Sequence, residues 1–352
     1  MKVVLLAPTP PPAGGIASWT VRMLQSQLKN GWQVAVVDEK AIGKRQVFGN
    51  KNKRNYFGEW KRCCRIWRNL RRELKDPEAK VVHSCIPSVP LAMLREYICA
   101  GITKRRGRKF VIHFRCTVPN TTQGKFAHFM LKKLCDKSDM IFSLNQQTSD
   151  FLAKRTKTPI RLIPNFISGD ELLETVETRQ EVKTVLYVGG VIESKGAKDM
   201  LQVAEKFPEL QFRLVGKSEE SVEKRAAKLP NVILTGPKNR DEVKQELQDA
   251  DIFMFLTYFY GEGFSNSLVE AMAAGLPCIV TDWAANRDMI EDKGGAVVPV
   301  KSPDAAAEAL RNMCSYDVRV TQSAFNIQKV QNCYIDKVVQ DMYVDCYEEL
   351  IG

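Results

Sequence analysis

The sequence lacks any long apolar run. Its 352 residues are 44% hydrophobic and 26% charged. A membrane-spanning helix needs about twenty consecutive apolar residues, and no apolar stretch of the sequence approaches that length. The run VVLLAP at 3–8 is too short for the apolar core of a secretory signal. We therefore expect a cytoplasmic protein, and a chain of this length favours two domains.

Histidine is scarce, and the cysteines form no recognisable motif. The chain has 3 histidines and 10 cysteines, and none of the cysteines forms a Cys-x-x-Cys pair. Zinc sites and disulfide frameworks normally show regular cysteine spacing. We expect reduced thiols and no metal site.

Acidic residues are sparse in the first part of the chain. Residues 1–165 contain 32 Lys and Arg against 10 Asp and Glu, a net charge of +22, and the remaining residues carry −11. This asymmetry favours two domains with different partners, and the basic domain is expected to meet an anionic ligand or surface.

Short apolar segments alternate with helical segments along the chain. Lys2 to Pro8, Trp32 to Val37 and Ala79 to Cys85 are typical of buried parallel strands. The alternation predicts an α/β fold with doubly wound parallel sheets. Gly14 and Gly15 form a turn between the first strand and a helix, as in nucleotide-binding units, although an ordinary strand–helix turn has the same features.

One stretch, YFYGEGFSNSLVEAMAAGLPCIVTD at 258–282, carries the strongest signal. A predicted strand precedes it, a glycine-containing loop follows, and a helix begins near Ser265. Free N–H groups at such a helix start favour an anion such as a diphosphate. The loop and helix carry Glu262 and Glu270, whose carboxylates can accept hydrogen bonds from sugar hydroxyls. Two solvated surface glutamates would show the same spacing.

The same stretch resembles the donor-site signature of the family 4 retaining glycosyltransferases (glycosyltransferase group 1). The resemblance implies the GT-B fold, in which two Rossmann-like domains face across a cleft. It also implies a nucleotide-diphospho-sugar donor, UDP- or GDP-linked, and a mechanism that needs no metal. Glu262 would contact the transferred sugar and act in catalysis, and Glu270 would bind the ribose. The adjoining donor-binding residues would be Gly263, Phe264, Ser265, Asn266 and Ser267.

A second segment, TVLYVGGVIESKG at 184–196, resembles the part of the family that clamps the diphosphate with an arginine and a lysine. Lys195 matches the lysine and would assist catalysis, but Gly190 stands where the family has the arginine. Arg240 or Lys238 is a candidate replacement in the donor site. The resemblance also implies that Gly14 and Gly15 lie near the diphosphate.

Two histidines end predicted strands of the first domain. A histidine at a strand end is often structural, but the family commonly has one at the position of His113, which implies contact with the acceptor and the sugar. His83 has a weaker match. Arg115 lies on the same side of its strand as His113 by alternation, and we expect it to bind an anionic acceptor.

The domain boundaries follow from these segments. We expect an acceptor-binding domain over 1–165, a linker over 166–182 and a nucleotide-sugar donor domain over 183–325. The resemblance implies that a terminal helix over 326–352 packs back on the first domain.

The implied reaction is retaining sugar transfer to a lipid-linked saccharide during the synthesis of cell-surface polysaccharide or lipopolysaccharide. A basic helix, Trp60 to Lys75, and a basic loop, Lys104 to Lys109, are predicted to hold the protein on the anionic inner face of a membrane. A packed outer helix with a solvated basic face is the alternative for the helix.

Two other functions remain open from the sequence. A nucleotide-sugar epimerase could share the two-domain shape. A nucleic-acid-binding protein would use the basic half, but the chain has no recognised nucleic-acid motif and its aromatics are not spaced as stacking platforms. We therefore expect no nucleic-acid partner.

Overall fold

In the computed structural model, residues 1–11, 14–40, 56–172 and 177–352 are described. They fall into two units, Met1–Asn165 together with Asp336–Gly352, and Phe166–Ile335. Part of the predicted linker, 173–176, lies outside the described residues.

The first unit is built on a parallel sheet in which the described strands follow the order β2-β1-β3-β4-β5-β6. The strands are β1 (Lys2–Ala7), β2 (Gln33–Asp38), β3 (Ala79–Ile86), β4 (Lys109–Phe114), β5 (Met140–Ser143) and β6 (Ile160–Leu162). The helices are α1 (Gly15–Gln25), α2 (Tyr56–Glu73), α3 (Pro90–Lys104), α4 (Val118–Thr121), α5 (Lys125–Lys137) and α6 (Gln146–Ala153). Strand β1 is apolar and buried from Val3 to Ala7 because both faces of the sheet are covered there.

The second unit repeats this architecture with the strand order β12-β11-β10-β7-β8-β9. Its strands are β7 (Thr184–Val188), β8 (Gln211–Val215), β9 (Val232–Gly236), β10 (Ile252–Phe255), β11 (Cys278–Thr281) and β12 (Gly295–Val298). Its helices are α7 (Ala197–Ala204), α8 (Glu220–Ala226), α9 (Arg240–Asp249), α10 (Asn266–Ala273), α11 (Asn286–Ile290), α12 (Pro303–Met313) and α13 (Tyr316–Cys333). The order places β7 beside β10, so loops that follow these two strands meet at one edge of the sheet.

The predicted terminal helix over 326–352 is two helices in the structure. It divides between the end of α13 and a separate helix, α14 (Asp336–Ile351). Helix α13 ends at Cys333 because the carbonyl of the next residue, Tyr334, accepts a hydrogen bond of 3.0 Å from the N–H of Ile167. Backbone that is committed to this pairing cannot continue an α-helical ladder.

Helix α14 belongs to the first unit. The hydroxyl of Tyr347 lies 2.7 Å from Nδ1 of His83, and the ring of Tyr343 packs edge-on against Trp19 with 6.0 Å between centroids. The last helix therefore completes the aromatic core around the histidines of that unit.

None of the helices in the described part of the chain combines the length and the apolar character that crossing a bilayer requires.

Candidate active site

The loop between β10 and α10 carries the two glutamates that the sequence singled out. Ser265 is the N-cap of α10, and its Oγ accepts a hydrogen bond from the N–H of Leu268. This capping explains the Ser265 position in the sequence pattern and fixes the direction in which the helix begins. Glu262 lies ahead of the cap and is buried, whereas Glu270 lies on the helix and is half-buried.

Lys195 and Glu262 form an ion pair in the second unit. Nζ of Lys195 lies 2.6 Å from Oε2 of Glu262, and only 17% and 11% of the two side chains are exposed. The ammonium also lies 5.1 Å from the ring centroid of Phe259. The residues are brought together because Lys195 follows β7 and Glu262 follows β10, which are adjacent strands. A partly desolvated cation and carboxylate at this edge can contact a diphosphate and a sugar together.

Two glycines of the loop after β7, Gly190 and Gly196, differ in whether a side chain would fit at their position. Gly196 has a φ of +82°, and a Cβ there would lie 2.2 Å from the carbonyl oxygen of Leu256, so only glycine fits. At Gly190, a Cβ would meet no atom of the described residues within 4 Å. The fold would therefore accommodate an arginine at position 190, as the family has. With glycine there, the space beside the backbone stays open.

Glu270 and Arg240 line one cavity of ≈ 220 Å³ in the second unit. Arg240 begins α9, and its guanidinium pairs with Glu171 at 2.6 Å while 66% of the side chain stays exposed. Lys238, the other candidate phosphate contact, pairs with Glu246 at 2.6 Å. The structure thus brings Arg240 and Glu270 to the same cavity, with the charge of Arg240 already compensated.

The remaining predicted donor residues lie around the start of α10. Gly263 is buried in the loop, and Asn266 and Ser267 are half-buried first residues of the helix. Phe264 is buried, and its ring meets Tyr334 edge-on at 5.3 Å. The Phe264 side chain thus packs into the core, so only its backbone is suited to contact a ligand.

Gly14 and Gly15 lie at the start of α1 in the first unit, and both are exposed. A Cβ at either position would meet no atom of the described residues within 4 Å. The absence of side chains there leaves backbone N–H groups at a helix start open to an anion.

His113 was predicted to contact the substrates, but its side chain is completely buried. Nδ1 of His113 lies 3.1 Å from Nε2 of His83. The His113 ring packs against Trp19 and Phe142. Nη1 of Arg115 lies 3.3 Å from its Nε2. A direct contact with an acceptor does not fit this burial, and the arrangement instead lets His113 position Arg115.

Arg115 is 9% exposed. It donates a hydrogen bond to Oδ1 of Asn165, and its guanidinium lies 4.9 Å above the ring of Trp19. Its predicted contact with an anionic acceptor would have to displace or share these partners. Asn165 could not be predicted as the partner of Arg115, because it lies fifty residues further along the chain.

His83, Cys85 and His113 form a buried cluster whose possible ligand atoms lie within 4.8 Å of one another. Burial and then the Arg115 guanidinium lower the pKa of His83 to about 3 and hold the pKa of His113 well below its ordinary range, so both rings are neutral. Burial also raises the pKa of the Cys85 thiol to about 12. A protonated thiol beside a guanidinium opposes the binding of a cation here.

Two family models match most of the chain. Residues 13–171 match the model described as Glycosyltransferase Family 4, and residues 182–315 match the model described as Glycosyl transferases group 1. Among curated proteins, the phosphatidyl-myo-inositol mannosyltransferase of Mycobacterium tuberculosis is 29% identical over 159 residues, covering 42% of this chain and 42% of that protein. The chain thus matches less than half the length of this relative.

Solved structures resemble the whole chain. Sucrose-phosphate synthase from Thermosynechococcus elongatus has a TM-score of 0.81 at 15% identity and covers 99% of both chains. Anabaena HepE in complex with UDP-glucose has a TM-score of 0.75 at 14% identity, covering 99% of this chain and 100% of that one. Likeness at such low identity shows the fold, which is GT-B. Together with the two matched models, it shows that this chain belongs to the group 1, family 4 glycosyltransferases.

Proposed function

We propose that the protein is a retaining glycosyltransferase that moves a sugar from a UDP- or GDP-linked donor to a lipid-linked saccharide, without a metal cofactor. Its product would belong to a cell-surface polysaccharide or lipopolysaccharide. The observation that carries the proposal is the Lys195–Glu262 pair at 2.6 Å, at the edge of the second sheet where α/β proteins bind ligands.

One similar structure supports the proposed type of donor, and one curated relative supports the proposed type of acceptor. HepE was crystallised with UDP-glucose, and the mycobacterial relative is named for transfer of mannose to phosphatidyl-myo-inositol. A donor with a nucleotide diphosphate suits the cationic Lys195 and the open backbone at Gly190. A lipid-linked acceptor suits the basic first half of the chain, which carries a net charge of +22.

In the proposed reaction, the bond between the anomeric carbon and the diphosphate oxygen breaks. A bond from the same carbon to an acceptor hydroxyl oxygen forms on the same face of the sugar. The diphosphate leaves with the electron pair of the broken bond and takes the proton of the hydroxyl. The Lys195 ammonium stabilises the charge that develops on the leaving group, and Glu262 holds the sugar.

Donor use is tested with the full chain and a panel of UDP- and GDP-linked sugars. We expect one donor to raise the melting temperature, because a ligand at a hundredfold excess over its Kd stabilises the folded state by about 2.7 kcal/mol. With a lipid extract as acceptor, the product should carry the sugar with its anomeric configuration retained, as read by NMR. An epimerised free nucleotide sugar, or no donor that binds, would contradict the proposal.

The membrane contact that we propose uses one end of α2. Ile66 and Leu70 of α2 are buried in the core of the first unit, so α2 is a packed outer helix rather than one that lies free on a bilayer. Its first turns, however, expose Phe57 and Trp60 by 62% and 60%. Aromatic side chains beside basic residues are typical of proteins that bind the headgroup region of a membrane.

Removing both aromatic side chains in Phe57→Ser/Trp60→Ser is expected to abolish flotation with vesicles that contain acidic lipid. Wild type should float at low salt and less at high salt, because each basic residue near the surface adds about 1 kcal/mol that salt screens. Val320→Ser removes an apolar side chain of α13 that is 40% exposed and serves as the control. Flotation that ignores acidic lipid or survives the double substitution would refute this contact and leave the transferase proposal standing.

A further inference from the structure

The turn that carries Glu262 is held from outside by the side chain of a tryptophan. Residues 259–262 form a tight turn, in which the N–H of Glu262 donates to the carbonyl of Phe259 at 3.0 Å. Trp283 lies just after β11, the strand beside β10, and its indole Nε1 donates to the same carbonyl at 2.8 Å. A carbonyl oxygen has two lone pairs, so it accepts both bonds. One atom thus joins the Glu262 turn to the neighbouring loop.

The ring of Phe259 links this turn to Lys195. A Cβ at Gly261 would lie 2.8 Å from the ring, so the ring packs across the backbone of the turn and a side chain there would push it away. The ammonium of Lys195 lies 5.1 Å from the centroid of the same ring. The backbone of Phe259 therefore helps to direct Glu262, and its ring lies beside the cation that pairs with Glu262. A displacement of Phe259 would disturb the geometry of the pair.

The start of the loop is anchored without the help of Trp283. The N–H of Tyr258 donates to the carbonyl of Ser194 at 2.9 Å. The Oγ1 of Thr281 donates to the carbonyl of Thr257 at 2.5 Å. Removal of the indole N–H leaves both of these bonds in place, so its effect is confined to the turn that follows. We therefore expect a local displacement of Glu262 rather than unfolding of the loop.

The indole bond affects the position of Glu262 more than the stability of the fold. Trp283 is half-buried, and a single hydrogen bond contributes little to folding because the unfolded chain bonds to water instead. Catalysis is more sensitive to geometry, since a misplacement of about 1 Å can lower a rate by about a hundredfold. An interaction with the sugar that strengthens in the transition state affects kcat more than donor binding.

We propose that Trp283 is a positioning residue for Glu262. Its indole N–H fixes the carbonyl of Phe259, and this carbonyl fixes the turn that directs the Glu262 carboxylate at the transferred sugar. The inference rests on the proposed transferase function and adds to it a residue that acts on the sugar only through Glu262.

Two substitutions at Trp283 separate the role of the N–H from that of the ring. Trp283→Phe removes the donor and keeps an aromatic ring, whereas Trp283→Gln removes the ring and keeps an N–H donor. Trp32→Phe is the matched control, because the indole Nε1 of Trp32 also donates to an oxygen, Oε1 of Glu348 at 3.1 Å, but in the first unit. Circular dichroism melting curves establish which variants fold.

Trp283→Phe is expected to lower kcat about tenfold with the donor in excess. The Kd of the nucleoside diphosphate alone, measured by titration calorimetry, should stay at the wild-type value, because Lys195 belongs to a separate helical turn, Glu193–Lys195. Trp283→Gln should keep more of kcat than Trp283→Phe, and Trp32→Phe should keep wild-type kinetics. A merely structural role would instead lower kcat and nucleotide affinity together.

Three results would overturn the positioning role. The first is wild-type kcat in a folded Trp283→Phe enzyme. The second is a parallel loss of kcat and nucleotide affinity in that variant. The third is a folded Trp283→Gln enzyme whose kcat is lower than that of Trp283→Phe, since the ring rather than the N–H would then be what matters.

Hydrogen exchange of the protein without ligand separates this inference from the function on which it rests. Peptides that cover 259–262 should exchange faster in Trp283→Phe than in wild type, because the Phe259 carbonyl loses one of its two donors. Peptides of β7 should not change. A wild type that transfers no sugar would refute the transferase proposal, whatever the exchange shows. Unchanged exchange at 259–262 in the variant of an active enzyme would refute the positioning role alone.

Discussion

Glu262→Gln is expected to lower the rate of sugar transfer by on the order of a hundredfold with the donor in excess. The substitution keeps the size of the side chain but removes the negative charge that faces Lys195 at 2.6 Å. Interactions that form with the sugar only in the transition state affect kcat more than substrate binding. The measurement is initial-rate kinetics at saturating and at low donor concentrations.

Glu220→Gln provides the matched control for Glu262→Gln. Glu220 also pairs with a lysine, Lys224, but both side chains lie exposed on α8. Exposed pairs contribute little, so this variant should retain wild-type kinetics. Near-normal kcat and KM in a folded Glu262→Gln enzyme would remove Glu262 from the active site.

Lys195→Ala is expected to weaken binding of the nucleotide diphosphate by about tenfold to a hundredfold. A charge-assisted hydrogen bond to phosphate contributes roughly 1.5–3 kcal/mol. Isothermal titration with the nucleoside diphosphate alone measures this loss without a need for the acceptor. Lys224→Ala is the control, since it removes an equally paired but exposed lysine. An unchanged Kd in Lys195→Ala would place the phosphate clamp elsewhere.

Two further variants separate phosphate binding from charge balance. If Lys195 served only to neutralise Glu262, the double variant Lys195→Ala/Glu262→Gln would recover wild-type affinity. We expect no such recovery. Gly190→Arg, by contrast, should restore part of the affinity of Lys195→Ala, because the structure has room for a side chain at Gly190.

The fold and the donor segment could be predicted from local signals. Short apolar runs marked the strands of both sheets because parallel strands are buried on both faces. The serine cap, the loop glycines and the two glutamates all lie within residues 261–270. The resemblance to family 4 is confirmed by the two matched models. Lys195 is 67 residues from Glu262. Only the resemblance to the family associated the two residues, because the sequence does not show that β7 and β10 are neighbouring strands.

Burial and buried partners could not be predicted in this way. His113 looked like a substrate contact, but Tyr343 of a helix more than two hundred residues later helps to cover it. The spacing of the Trp60 to Lys75 helix could not separate its two alternatives, because Ile66 and Leu70 are buried whereas Trp60 on the same helix is 60% exposed.

The most direct test of the central claim is hydrogen exchange of the full chain with and without the donor that the panel identifies. Donor should slow exchange in peptides that cover 189–196 and 259–268, because these segments carry Lys195, Glu262 and the start of α10. Glu262→Gln should keep most of this protection, and Lys195→Ala should lose most of it at the same donor concentration. Donor binding that leaves both segments unprotected in the wild type would contradict the assignment of the active site.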